Sequence, residues 1–150
     1  MKQNKLVLLL LTALLAVTAV AAGVHLSTRQ SAPMGTVLVE CANRTKELSL
    51  DEVELTAVRG TIVNGKGEER NVDAQGAPLS AVLEQAGITA YTQVAVTADD
   101  EYSVTVTKEE AAAPGRVFLI IREGERPQLL VFGDANSKRN VSNVIRLTVS

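Results

Sequence analysis

The sequence predicts an α+β domain, mostly β, with mixed sheets and about three short helices. Three observations carry that prediction. Several stretches alternate apolar and polar residues with the period of a half-buried strand, beginning with Val37, Val39 and Cys41 set against Leu38 and Glu40. Residues 76–88, GAPLSAVLEQAGI, spell one complete short helix with its start and stop signals. Two Ser/Thr-x-x-Glu boxes, Ser49 with Glu52 and Thr107 with Glu110, mark two further helix starts among the strands.

Taken in order, residues 37–41 form the first predicted strand, and LSLDEV (48–53) a short helix capped by Ser49. Residues 58–63 read as a second strand, and NGKGEERN after them as a charged, glycine-broken loop. In the helix at 78–86, Pro78 takes the first helical position, where a missing N–H costs nothing. Leu79, Val82, Leu83 and Ala86 recur at i, i+3, i+4 and i+7 and give one apolar stripe. Gly87 supplies the left-handed stop, and Ile88 folds back onto Leu83. Residues 93–98 and 102–107 alternate and form a hairpin through Asp99, Asp100 and Glu101. Thr107 and Glu110 cap the short KEEAAA helix, which Pro114 and Gly115 end. Residues 117–121 are continuously apolar, as a central strand covered on both faces must be. Strands at 128–132 and 144–149 bring the expected number to about seven, around which the helices pack. No internal repeat is evident.

The N-terminus divides the chain. Lys2 and Lys5 precede residues 6–24, an apolar run of 19 residues broken only by two threonines. Small residues Ala19, Ala21 and Ala22 offer a signal-peptidase site. The run is also near the length that spans a bilayer, so residues 1–24 read as a cleaved signal peptide or as a retained membrane anchor. In both cases the lysines stay inside and the rest lies outside the cytoplasm, secreted or anchored to the cytoplasmic membrane. Residues 25–34 form a polar tether and 35–150 the folded domain. No lipobox precedes Cys41, which argues against a lipid anchor.

Without Lys2 and Lys5, the 15 basic residues fall to 13 against 17 acidic ones. A mildly acidic domain with two Tyr, two Phe and no Trp lacks the cations and stacking rings of a nucleic-acid binder. Cys41, the only cysteine, forms no internal disulfide; it is a thiolate ligand, a nucleophile or, in phase with Val37 and Val39, a small core residue, and the phase favours the core. His25, the sole histidine, falls in the tether, so a His-based triad or zinc site has no parts. Asp99, Asp100 and Glu101 are hard-cation candidates but read first as a solvated turn. NGKGEE lacks the spacing of a phosphate-cradling loop. Lys138 and Arg139, in DANSKRN, are the candidates to meet a phosphate or an acidic partner, or simply surface.

Three segments together, QGAPLSAVLEQAGI, VAVTADDEYSVTVTKEEA and VSNVIRLTV, resemble the molybdopterin-binding domain of sulfite-oxidase-like oxidoreductases, above all its short free-standing bacterial versions. That family places a G-V-P-L-x-x-V-L-x-x-A-G helix before a strand, a D-G-Y turn, a further strand and a short acidic helix. The resemblance covers about residues 37–149. It implies the family's fold, with a cysteine thiolate on molybdenum and basic groups on the pterin phosphate.

Two registers lay that chemistry on this chain. In the first, VECANR (39–44) is similar to the family's C-A-G-N-R ligand motif without its glycine, and Cys41 binds the metal. In the second, LSLDEV matches the L-S-L-x-E-L segment ahead of the ligand strand, and the ligand position falls at residues 61–64, TIVN, without a cysteine. The second leaves room for the family's opening strand and helix and is preferred. Asp100-Glu101-Tyr102 lacks the D-G-Y glycine, and Ser142 and Asn143 stand where catalytic relatives resemble Lys-Trp. Molybdenum cofactor is inserted in the cytoplasm, so its exported enzymes use twin-arginine signals; MKQNK has no arginine. The resemblance thus implies an extracytoplasmic domain that keeps the fold without the cofactor and binds a protein partner or small ligand. The other register implies a molybdopterin-dependent oxidoreductase.

Overall fold

The structure is a computed structural model and describes Lys5, Val7, residues 10–19 and residues 33–150. The chain divides into two compact units, Met1–Ser31 and Ala32–Ser150. In the first, Lys5, Val7 and residues 10–19 are helical. Among the described residues no helix is long and apolar enough to cross a membrane. Ala21, Ala22 and the tether up to Ala32 lie outside the described residues.

The second unit is α+β and mostly strand, with nine strands in two sheets among its described residues. In chain order they are β1 (Thr36–Cys41), β2 (Arg44–Ser49), β3 (Thr56–Val63), β4 (Glu69–Pro78), β5 (Gln93–Ala98), β6 (Ser103–Thr107), β7 (Val117–Ile121), β8 (Gln128–Val131) and β9 (Val144–Val149). Helix α1 (Leu79–Gln85) follows β4, and α2 (Lys108–Ala112) follows β6. One sheet runs β2-β1-β9-β5-β6 and is mixed, because β1 pairs with β9 in parallel. The other, β3-β4-β7-β8, is antiparallel throughout.

Both sheets feed one core. Val37, Leu48, Val94, Val96 and Leu147 of the first meet Ala77, Leu119 and Leu129 of the second, with Leu79, Val82 and Leu83 of α1 among them. Each fully buried leucine there contributes about 2 kcal/mol of apolar burial. The far face of the four-stranded sheet carries a second cluster, Val58, Val72, Ile120 and Leu130, flanked by Phe118 and Phe132 in edge contact. Strand β7, third in its sheet, therefore buries side chains on both faces, as its unbroken apolar run predicts.

Several local signals appear as written. Gly87 takes φ 84, its N–H donates to the Glu84 carbonyl, and the Ile88 N–H donates to the Leu83 carbonyl, completing a Schellman stop. Thr107 and Glu110 form both bonds of the capping box at α2. Others differ. Leu48 and Ser49 end strand β2 because they pair with Val37 and Thr36, leaving only a 3-10 turn at Leu50–Glu52, and the Ser49 side chain makes no capping bond. Pro78 is extended at ψ 140 and closes β4 opposite Phe118, so α1 begins one residue later. The 64–71 loop is shorter than expected, since β4 begins at Glu69.

Candidate functional site

Two places gather the residues that carry chemistry. The first lies under the β1–β2 hairpin. Cys41 pairs across it with Arg44, and Val39 with Lys46, on the face that Val37 and Leu48 turn into the core. Beyond that buried pair the hairpin overhangs the C-terminal end of α1, and the gap is a cleft of about 790 Å³ lined by Val39, Cys41 and residues 42–46 on one side and residues 86–88 on the other. Cys41 is half-buried, with a free thiol beside the core. Lys46 Nζ lies 3.5 Å from the Gln85 carbonyl oxygen, where a cation meets the negative end of the helix dipole. Ala42, at the turn, has φ 52, a left-handed conformation that favours glycine.

The second place is the loop from Gly133 to Asn143. Its ends are tied down: the Val131 N–H donates to Asn140 Oδ1 at 2.9 Å, and Leu129 and Val141 bond to each other in both directions. At its centre Arg139 donates from Nε and Nη2 to both Asp134 oxygens at 2.7 Å, and from Nη1 to both Glu110 oxygens at 2.8 and 2.9 Å. Arg116 adds longer contacts of 3.4 Å to the same two carboxylates. Burial alone would raise the Glu110 carboxyl, but hydrogen bonds from Arg139, the Thr107 N–H and Arg116 outweigh it and hold the group below the usual carboxylate range. The Asp134 hydrogen bond, against the opposing pull of burial, drives the Arg139 guanidinium further above its already high value. Arg139 is therefore closed on acids of its own chain. Lys138 is exposed, and its carbonyl accepts from the Tyr102 hydroxyl at 2.6 Å.

The chain matches no family model, and no curated protein matches it.

Of the regions that the second register assigns to a cofactor, the closing turn is part of this loop, the Asp-Glu-Tyr turn bonds to it, and TIVN comes near it only through the next residue, Gly65. A Cβ on Gly65, beside the TIVN segment, would lie 3.9 Å from Ser137 Oγ. Tyr102 reaches Lys138, and the Asp99 N–H donates to the Asn143 carbonyl at 3.0 Å. Their donors do not fit a molybdenum centre. Thr61 donates to Asn71 Oδ1 at 3.1 Å, and Asn64 Oδ1 accepts from the N–H groups of Lys66 and Glu68, shaping the β3–β4 turn. Residues 61–64 hold no thiol, and the arginine meant for phosphate is already paired.

At the 99–102 turn, Asp100 Oδ1 accepts from the Tyr102 N–H, and Glu101 takes φ 71, a left-handed conformation that favours glycine. Among the described residues no three His, Cys, Asp or Glu side chains are grouped to hold a metal ion. Sequence reasoning missed the partners of Arg139. Glu110 reads in sequence as a cap alone, and Asp134, five residues before Arg139, was the available signal.

Proposed function

We propose that this chain is an exported or membrane-tethered domain that uses a sulfite-oxidase-type molybdopterin-binding fold without a redox centre, as a binding domain for a partner protein or small ligand. The contacts of the 99–102 turn with Lys138 and Asn143, which join the Asp-Glu-Tyr segment to the closing turn, support the fold assignment. The absence of cofactor chemistry rests on one observation, the fourfold engagement of Arg139 by Asp134 and Glu110. An arginine held that way gives up about 1.5–3 kcal/mol per charged hydrogen bond before it can meet a phosphate.

A second reading makes Cys41 a molybdenum ligand, with Arg44 and Lys46 near enough to meet the pterin phosphate. Its support is the cleft that the three residues share. Incubating the purified full chain with molybdenum cofactor, anaerobically and under reduction, followed by gel filtration, separates the two. The proposed function predicts that cofactor and protein elute apart. Co-elution would overturn it, and co-elution lost in Cys41→Ser would assign the metal to that thiolate.

A further inference from the structure

We propose that the cleft under the β1–β2 hairpin binds a small organic anion, a carboxylate or phosphate on an apolar body, with Arg44 as its charge-recognition group. At about 790 Å³ the cleft lies within the range of small-molecule sites, roughly 300–1,000 Å³. Its lining holds two cations and no acid, in a protein whose formal net charge is −2. Val39, Cys41 and Ile88 give it an apolar floor.

The two cations are not equivalent. Lys46 is drawn to the Gln85 carbonyl at the end of α1. The Arg44 side chain, like that of Arg70, makes no hydrogen bond or ion pair among the described residues, whereas Arg59, Arg116, Arg122, Arg139 and Arg146 each face a carboxylate. A planar guanidinium at the rim of an apolar cleft matches a carboxylate or phosphate bidentately, and the floor beneath receives the ligand's carbon skeleton. The turn at Ala42 and Asn43 sets Arg44 opposite Cys41 across the hairpin. This goes beyond the function proposed above, which names neither the place nor the chemistry of a ligand.

The cleft contains its own reporter. Cys41 is the only cysteine in the chain, so alkylation of the full-length protein by N-ethylmaleimide reads the occupancy of this one place. Octanoate and octyl phosphate are the probes, and octanol is the neutral control with the same apolar body. The expected result is that saturating octanoate or octyl phosphate slows alkylation about tenfold while octanol changes it less than twofold. Arg44→Gln, an exposed position, should keep the thermal midpoint and raise the half-protecting concentration about tenfold, the loss of one charged hydrogen bond. Equal protection by octanol, or protection unchanged in Arg44→Gln, would each overturn the proposal.

Discussion

Replacing Arg139 with glutamine removes the charge and both terminal nitrogens while keeping the first part of the stem. In the folded protein this strands two carboxylates, Asp134 at 14 % and Glu110 at 24 % side-chain exposure, around a guanidinium that is itself 28 % exposed. Breaking a fully buried ion pair costs about 3–5 kcal/mol, and an exposed pair about 0–1. A cluster about three-quarters covered falls between, and Arg116 remains within 3.4 Å of both acids to compensate in part. The expected loss is about 2 kcal/mol, or about 8 °C in thermal midpoint for a domain of this size. Urea unfolding followed by far-UV circular dichroism measures it. Lys138→Gln, next door but exposed, should stay within about 0.5 kcal/mol of the parent. An Arg139→Gln protein as stable as the parent would show that the guanidinium is available to a ligand and not committed to the fold.

Three further outcomes follow from the same geometry. A Cβ at Gly76 would sit 2.6 Å from the backbone oxygen of Leu119, whereas one at Gly60 would meet only the Phe132 ring, at 2.7 Å, so Gly76→Ala should cost about 3 kcal/mol and Gly60→Ala about 1 in urea unfolding. Gly87→Ala places a side chain at φ 84 with nothing within 4 Å, so its cost, about 1 kcal/mol by the same method, is purely that of the backbone conformation. Glu110 is held below its ordinary carboxylate range in the fold, so its contribution is complete above the unfolded value, roughly pH 4.3, and is lost as pH falls through the lower folded value. The stability gap between the parent and Glu110→Gln should therefore narrow as urea titrations are taken from pH 6 to pH 3, and a gap that widens on acidification contradicts the sign.

Local chemistry was the most legible part of this sequence. The Schellman stop at Gly87 and Ile88, the Thr107–Glu110 box and the unbroken apolar run of β7 each depend on residues within five positions of one another. Strands β2 and β4 were hidden for different reasons. Strand β2 lies at a sheet edge with residues 44–47 all exposed, so it shows no apolar alternation, and only pairing with β1 makes it a strand. Strand β4 carries small residues, Ala74, Gly76 and Ala77, where a sequence pattern looks for large ones, because its backbone passes close to that of β7. The Ser49–Glu52 pattern is a sound capping motif overridden by that same pairing with β1.

The candidate sites divide in the same way. Cys41 stands out in the sequence as the only cysteine, but Arg44 does not, and the opposite wall of their cleft comes from residues 86–88, which only the tertiary fold brings near. Lys138 and Arg139 look alike in DANSKRN. Their difference, one exposed and one closed on acids 5 and 29 residues away, is a property of packing.

The proposed function is a binding domain without a redox centre. Its most direct test is the molybdenum, tungsten and pterin content of the full chain, purified from the envelope fraction of a host that makes molybdenum cofactor. The expected result is a folded, stable protein with metal and pterin far below one per chain. Stoichiometric metal with pterin fluorescence would contradict it, place the metal at Cys41 and make the chain an enzyme.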